Sequence, residues 1–174
     1  MLDVGTSTGF FALECARRGA SVTAIDLMDD GPLPEIAAGL GLTVEYLQMN
    51  LYDLSPKIGA FDLVICGSVL LHLWDPFNAL RSIASVCQSQ AIVATTTMPK
   101  ALVKTDRPIA ELVAVHAEEG DYWTTWHFSA AAMEKMMRAA GFSKVKHQAD
   151  FELKSVPGGH DYRVHHGVFH GFMQ

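Results

Sequence analysis

The sequence has few of the features that mark secreted, metal-binding or membrane-spanning proteins. It has only three cysteines in 174 residues, Cys15, Cys66 and Cys87, and no Cys-x-x-Cys pair. Such isolated cysteines indicate free thiols in a reducing compartment, without a disulfide framework or a cysteine metal site. No apolar run approaches the roughly 20 residues of a membrane span, and no signal peptide precedes the first predicted strand. We therefore expect a cytoplasmic protein with neither a metal nor a membrane partner.

Positive charge is also scarce. The chain has 13 Lys and Arg against 19 Asp and Glu, which gives a formal net charge of −6. This balance does not support a broad surface for nucleic acid, although a local basic patch is still allowed. The apolar content of 49% is enough for a sizeable core, and the length suits one domain. We expect a single domain over residues 1–174.

The most informative stretch is the beginning of the chain, Met1-Leu2-Asp3-Val4-Gly5-Thr6-Ser7-Thr8-Gly9. An apolar strand runs into a polar turn that is bracketed by Gly5 and Gly9, and helical spacing follows. Glycine removes the Cβ and tolerates positive φ, so the backbone of such a turn can approach a ligand closely. The helix behind it adds free N–H groups. The pattern indicates a cofactor cradle at the first strand–helix turn of an α/β fold.

Two carboxylates make this interpretation more specific. Asp3 lies two residues before Gly5, at the end of the first strand. Asp26 ends the apolar run at 21–25, and in nucleotide-binding α/β folds a carboxylate at the tip of the second strand holds ribose hydroxyls.

With these motifs in register, the sequence resembles the class I S-adenosylmethionine-dependent methyltransferases. The resemblance rests on Asp3-Val4-Gly5-x-Ser7-x-Gly9 followed by Ala24-Ile25-Asp26, with Ser7 where the family usually has a glycine. A nicotinamide-dependent dehydrogenase would need its last glycine three residues after the middle one. That position is Phe10, so the dinucleotide pattern fails.

The resemblance implies S-adenosyl-L-methionine as the cofactor and assigns residues to its parts. Asp3 and the turn from Gly5 to Gly9 would hold the methionine moiety, and Asp26 the ribose, with Leu27 against the purine. Asn50 and Leu51 would contact the adenine, although the family commonly has an Asp at position 50. Gly67 would offer a backbone contact near the sulfonium. The cofactor-binding residues are thus Asp3, Gly5, Thr6, Ser7, Gly9, Asp26, Leu27, Asn50, Leu51 and Gly67.

The predicted fold is α/β: a Rossmann-like, doubly wound, seven-stranded and mostly parallel sheet whose last strand is antiparallel. Periodicity and capping residues predict helices over 8–18, 32–40, 76–87, 109–116 and 129–140. Strands are expected at 21–26, 43–49, 61–66, 91–97, 142–153 and 163–173, with a Pro157-Gly158-Gly159 turn before the last. Related domains usually carry a helix, and often a substrate-binding cap, before the first strand. The fold is thus expected to be truncated at its N-terminus: either the sequence is a fragment, which we favour, or the protein has lost that cap.

Candidates for acceptor chemistry lie in the second half of the sheet and its loops. Tyr122, Trp123 and Trp126 fall in the long connection at 98–128 and predict a substrate wall, although they could equally pack this loop onto the body. His72 and His127 should face the mouth of the pocket, where an imidazole can take a proton from an acceptor. The alternative for each is an ordinary structural hydrogen bond.

A second group of histidines, His160, His165, His166 and His170, invites a metal hypothesis. On a strand His166 and His170 share one face while His165 points the other way. A metal triad would therefore need a ligand from another element.

The leading hypothesis is an S-adenosylmethionine-dependent methyltransferase that acts on a small molecule. A non-catalytic scaffold or partner subunit with this fold is the alternative. The segments at 71–76 and 123–142 also look like enzymes related to tRNA wobble-uridine modifiers, but the acidic charge does not support tRNA as a partner. The acceptor and the oligomeric state stay open.

Overall fold

The computed structural model describes residues 1–28, 31–99, 103, 106–115, 124–154 and 163–174. The strands are β1 Leu2–Val4, β2 Thr23–Asp26, β3 Glu45–Gln48, β4 Phe61–Gly67, β5 Cys87–Thr96, β6 Ala110–Val115, β7 Thr124–Phe128, β8 Lys144–Lys154 and β9 Arg163–Phe172. The helices are α1 Phe10–Arg17, α2 Leu33–Gly39, α3 Pro76–Val86 and α4 Ala130–Ala140, with 3₁₀ turns at Leu51–Asp53, Pro56–Ile58 and Leu70–His72.

Within the described residues, seven strands form one sheet in the order β3-β2-β1-β4-β5-β9-β8. β1 to β5 pair in parallel with one another. β9 is antiparallel to both β5 and β8, so the last strand of the chain is inserted against the direction of the others. The predicted Rossmann-like sheet with an antiparallel last strand is confirmed.

Both faces of the sheet are covered by helices, which is why the central strands read as apolar runs. On one face, Val4, Cys66 and Val93 from adjacent strands share a buried cluster with residues of α3 and α4. On the other face a smaller cluster joins Ala24 of β2 to α1 and α2.

The helices begin where the sequence predicts because their capping residues bond the free N–H groups of the first turn. The Asp75 carboxylate accepts from Asn78 N at 3.0 Å before Pro76 opens α3. Ser129 Oγ accepts from Ala132 N at 3.2 Å and starts α4. Each cap of this kind typically contributes about 1 kcal/mol.

The helix predicted over 109–116 is wrong for the residues of this segment that the structure describes, 109–115. Ala110–Val115 is the strand β6, which pairs antiparallel with β7 in a separate two-stranded sheet. The apolar residues have helical spacing, but pairing with β7 determines the structure of this segment. Glu111 lies opposite His127, and Leu112 lies opposite Trp126. This small sheet meets the end of β5, where Met98 N donates to Phe128 O at 2.8 Å.

The predicted Pro157-Gly158-Gly159 turn lies outside the described residues, as does His160. The strands on either side of it, β8 and β9, pair antiparallel as expected of a hairpin. Among the described residues, no helix combines the length and the apolar character that crossing a bilayer requires.

The carboxyl ends of β1, β2, β3, β4 and β5 meet along one side of the sheet, called the carboxyl edge below. The loops that leave this edge begin with Gly5, Leu27, Met49, Ser68 and Thr97. Open parallel sheets bind their ligands at this edge, so the fold places the predicted cofactor residues in one row.

Replacing Gly9 with alanine should cost more stability than replacing Gly19, although both have φ of +86°. A Cβ on Gly9 would lie 2.3 Å from Leu33 Cδ1, whereas a Cβ on Gly19 would meet nothing within 4 Å. Both variants carry the left-handed penalty of about 1–2 kcal/mol, but Gly9→Ala adds an overpacking cost of about 1–3 kcal/mol. Urea unfolding of the two variants measures the difference; equal losses would show that Leu33 does not constrain the turn.

Candidate functional site

The turn after β1 is held against the end of β2 by backbone hydrogen bonds. Gly5 N and Thr6 N both donate to Ile25 O, at 2.9 and 3.1 Å, and Gly9 N donates to Thr6 O at 2.8 Å. Gly5 has φ of +68°, and a Cβ there would lie 2.3 Å from Val69 Cγ2. Glycine at position 5 is therefore required by the turn and by the close packing of Val69.

Ser7 stands at the tip of this turn and links it to Asp26. Its backbone N donates to Asp26 Oδ2 at 2.8 Å, and its φ is +49°. Left-handed φ is unfavourable for a residue with a Cβ. The bond to the carboxylate offsets this cost, which explains how serine replaces glycine at this position.

Asp3 lies beneath the turn rather than at its surface. Only 2% of the residue is exposed, and its Oδ2 accepts from Thr6 Oγ1 at 2.7 Å and from Ala12 N at 3.1 Å. Burial raises the pKa of Asp3 and nearby Asp26 adds to the rise, while the two hydrogen bonds oppose it. Asp3 thus fastens the turn to the start of α1. Its predicted contact with the methionine moiety stays a prediction.

Asp26 is placed for a ligand, since it lies half-buried at the end of β2. Its Oδ1 accepts from Met28 N at 3.2 Å while Oδ2 accepts from Ser7. Each carboxylate oxygen has a second acceptor site, so hydroxyl groups can still bind. Two apolar side chains beside it, Leu27 and Met28, are 61% and 60% exposed. That exposure leaves apolar surface for a flat ring.

A cleft of about 110 Å³ opens beside Asp26, and its walls are mainly apolar. Asn50 borders it and caps the 3₁₀ turn that follows, because Asn50 Oδ1 accepts from Tyr52 N at 3.0 Å. The lining of the cleft includes the four residues predicted for the ribose and adenine, Asp26, Leu27, Asn50 and Leu51. The other lining residues are Val4, Gly5, Ile25, Met49, Val69 and Leu73.

Gly67 ends β4, the strand that pairs with β1, and its contact near the sulfonium stays a prediction. A Cβ on Gly67 would lie 3.1 Å from the ring of Phe11, which leaves little room for a larger residue. Thr8 and Ser7 border a second cleft of about 360 Å³ with Asp26 and Met28. Together these positions form a continuous row along the carboxyl edge.

The predicted acceptor residues divide between two places. His127 on β7 lines a cavity of about 600 Å³, which also holds Glu111, Glu152, Arg163 and His165. His72 ends a 3₁₀ turn near β7, where Thr125 Oγ1 donates to its carbonyl at 3.5 Å. His72 is not among the residues that line the cavity with His127.

Trp126 packs against the main core and stacks on Phe128 with ring centroids 6.4 Å apart. Its Nε1 is buried and has no hydrogen-bond partner among the described residues. Tyr122 and Trp123 lie outside the described residues. The substrate wall therefore stays a prediction.

The sequence of this chain matches a known protein family. The sequence profile described as "Methyltransferase domain" matches residues 2–95, more than half of the chain. The chain belongs to this methyltransferase family. The class that the glycine turn and Asp26 predict is confirmed.

A ubiquinone biosynthesis O-methyltransferase of Vibrio campbellii is 32% identical to the methyltransferase domain over 103 residues. The matched segment covers 56% of this chain and 43% of that relative, so the match spans less than half of the relative's length.

Two solved structures show the same fold over 99% of the methyltransferase domain. The N-terminal domain of EvdMO1 with S-adenosylhomocysteine bound has a TM-score of 0.74 at 21% identity, with 74% of that chain covered. The 1,6-didemethyltoxoflavin-N1-methyltransferase of Burkholderia thailandensis, with 1,6-didemethyltoxoflavin and S-adenosylhomocysteine bound, has a TM-score of 0.72 at 19% identity, with 70% of that chain covered.

The residues of the methyltransferase domain fit S-adenosylmethionine. The ligand needs a carboxylate for its ribose, an apolar slot for its purine and a close backbone approach for its methionine. Asp26, the cleft of about 110 Å³ and the turn at Gly5 have these three properties. Within the described part of the chain, no group of three or more His, Cys, Asp or Glu side chains is arranged to hold a metal ion.

Sequence reasoning missed several residues of the acceptor side. His165 lines the large cavity, and its Nδ1 lies 2.9 Å from Thr97 Oγ1 and 3.2 Å from Thr97 O. Because the carbonyl can only accept, Nδ1 carries the proton in the neutral ring and Nε2 is the basic nitrogen. Glu111, Glu152 and Arg163 converge there through strand pairing between distant segments. The one sequence feature that could have pointed to His165 is that neighbouring residues on a strand, here His165 and His166, face opposite sides of the sheet.

Replacing Asp3 with asparagine should change the pH dependence of stability. Because folding raises the pKa of Asp3 above 3.8, the folded protein binds more protons than the unfolded chain above that pH. The contribution of Asp3 to the free energy of unfolding therefore falls as the pH rises from 3.8 through the pKa that Asp3 has in the folded protein. Asp3→Asn keeps an oxygen for both donors and should lack this fall.

Urea unfolding of both proteins between about pH 3.5 and about pH 7 measures the effect. The difference between them should grow with pH and then level off. Asp3→Ala is the control, since it leaves Ala12 N–H without its partner and should cost about 1–3 kcal/mol at every pH. Parallel curves for wild type and Asp3→Asn would contradict the buried, pKa-raised carboxyl.

Proposed function

We propose that this chain binds S-adenosylmethionine along its carboxyl edge and transfers the methyl group to an oxygen atom of a small molecule. One observation carries the proposal: the bond of 2.8 Å from Ser7 N to Asp26 Oδ2. It joins the glycine turn to the ribose-binding carboxylate, and the apolar cleft opens directly beside it. A turn that served only to connect β1 and α1 would not need a carboxylate between two strand ends.

The chain's own residues would hold the cofactor in position for methyl transfer. The turn from Gly5 to Gly9 and the end of β4 would enclose the methionine moiety, Asp26 would bind the ribose hydroxyls, and the slot beside Leu51 would hold the adenine. The cofactor, when bound, supplies a methyl group already activated by its sulfonium. Holding reactants in line can contribute roughly 7–11 kcal/mol in favourable cases, so the protein does not need a strong base.

The cavity of about 600 Å³ at the end of β5 is the space for the acceptor. It contains His127 and His165, either of which can take the proton of a hydroxyl as the methyl arrives. Glu111 and Arg163 give it charges of both signs, which suits a compact polar molecule.

The names of the similar proteins support a small molecule as the methyl acceptor. They include ubiquinone biosynthesis O-methyltransferases and a toxoflavin N1-methyltransferase. The formal net charge of −6 gives no support to tRNA as an acceptor. We therefore rank a small hydroxyl-bearing acceptor above a nucleic acid.

Asp26→Asn should weaken S-adenosylhomocysteine binding by about tenfold or more, because hydrogen bonds to a charged group contribute roughly 1.5–3 kcal/mol. Isothermal titration calorimetry of the full chain measures it. Asp53→Asn is the matched control, since Asp53 is an exposed carboxylate on the adjacent 3₁₀ turn and should leave the affinity unchanged.

Two outcomes separate the candidate functions. Absence of S-adenosylhomocysteine binding to wild type would overturn the proposal. Binding without release of labelled methyl onto any acceptor from a small-molecule extract would favour the non-catalytic scaffold instead.

A further inference from the structure

Arg163 places a positive charge at the wall of the large cavity. It is the first residue of β9, and because β9 runs antiparallel to β5, this strand begins at the carboxyl edge. Arg163 lines the cavity of about 600 Å³ together with His165. Among the residues that the structure describes, its guanidinium forms no ion pair. Its donors therefore have no anionic partner in this part of the chain.

The neighbouring strand makes an anion beside Arg163 favourable. Lys154 of β8 lies directly opposite Arg163, and Glu152 lies opposite His165. Lys154 Nζ is 3.6 Å from Glu152 Oε2, so this lysine already has a carboxylate partner. Like charges directly opposite each other on neighbouring strands are destabilising. An anion bound to Arg163 would reduce the repulsion between the two cations.

The acidic side chains of the cavity do not neutralise Arg163. Glu152 is paired with Lys154 instead. Glu111 belongs to the β6–β7 sheet, where it lies opposite His127. Neither glutamate forms an ion pair with Arg163. The β9 wall of the cavity thus keeps a positive group that no carboxylate of the described residues compensates.

His165 offers a second group to the same ligand. It lies two residues after Arg163, so both side chains are on one face of β9. The Nδ1 atom of His165 is occupied by Thr97, and among the described residues Nε2 has no hydrogen-bond partner. In the tautomer that the Thr97 carbonyl selects, Nε2 is an acceptor. A rise of about 3.3 Å per residue separates the two backbone positions by roughly 6.5 Å, which one compact ligand can span.

We propose that the methyl acceptor is a hydroxy acid, whose carboxylate is bound by Arg163 and whose hydroxyl group donates its hydrogen bond to His165 Nε2. A guanidinium suits a carboxylate because two parallel N–H groups match the two oxygens. During transfer the hydroxyl oxygen forms a bond to the methyl carbon, the carbon–sulfur bond breaks with its electron pair going to sulfur, and the single hydroxyl proton passes to Nε2. The inference rests on the proposed function and makes Arg163 a specificity-determining residue.

Isothermal titration calorimetry of the full chain in the presence of S-adenosylhomocysteine tests the carboxylate. The probes are 3- and 4-hydroxybenzoate and their neutral amides, which have nearly the same size and the same hydroxyl group. Wild type should bind the tighter of the two acids about tenfold or more better than its amide, because charge-assisted hydrogen bonds are the stronger ones. Arg163→Gln should lose this preference. Arg163→Lys should keep part of it, since lysine retains the charge but not the fork.

Lys146→Gln is the matched control for charge. It removes one positive charge from the adjacent strand, but Lys146 lies opposite His170 and thus on the other face of the sheet from Arg163. This variant should prefer the acid as strongly as wild type does. If Lys146→Gln lost the preference as fully as Arg163→Gln, the effect would come from net charge, and the proposal would be overturned.

Benzoate, which lacks the hydroxyl group, tests the role of His165. Wild type should bind the hydroxybenzoate about fivefold or more tighter than benzoate, because an ordinary hydrogen bond contributes on this scale. His165→Phe should bind the two acids alike. A difference that persisted in His165→Phe would place the hydroxyl group elsewhere and overturn that contact.

Two further results would overturn the carboxylate site. One is equal affinity of wild type for acid and amide, including no binding of either. The other is a preference for the corresponding hydroxybenzylamine, which would assign recognition to Glu111 instead. Failure of the proposed function is a different result. A chain that binds no S-adenosylhomocysteine but keeps the Arg163-dependent preference would reject the cofactor and retain the anion site, and a chain that binds the cofactor product without the preference would do the reverse.

Discussion

The hydrogen bond from Ser7 N to the Asp26 carboxylate holds the candidate site together. It spans two strand ends and fixes a turn that has left-handed φ at Gly5, Ser7 and Gly9. Beneath it, the buried Asp3 ties the same turn to the start of α1. Because both carboxylates belong to the turn's own structure, the parts of the site predicted for the ribose and the methionine moiety form as one unit. Loss of either would disturb more than a single ligand contact.

The cofactor side could be predicted because it depends on local sequence. The glycine turn and the carboxylate that ends the second strand both lie within the first stretch of about 25 residues. Parallel pairing of the two strands then brings them side by side. The antiparallel last strand was also predictable, since a Pro-Gly-Gly turn joins two long strand patterns. What sequence did not reveal is that Asp3 is buried, because a strand-end carboxylate looks alike whether it faces solvent or the next helix.

The acceptor side depends on contacts between distant segments and was mostly missed. Thr97 and His165, which line the large cavity, are 68 residues apart, and their contact follows from the insertion of β9 beside β5. The strand β6 was read as a helix because its apolar spacing is ambiguous and its partner lies beyond residues 116–123. In the same way, Glu111 and Arg163 reach one cavity only through tertiary pairing. Residues that come together only through tertiary contacts are therefore the hardest part of this site to predict from local sequence patterns.

Amide mapping tests the central claim most directly. In a ¹H–¹⁵N correlation titration with S-adenosylhomocysteine, the largest shifts should fall on the amides of Gly5, Ser7, Leu27 and Leu51, with smaller shifts at Gly67 and Ser68. Amides on β8, at the far edge of the sheet, should stay unchanged. Shifts confined to β6, β7 and the large cavity, with none in the glycine turn, would contradict a cofactor site organised by the bond between Ser7 and Asp26.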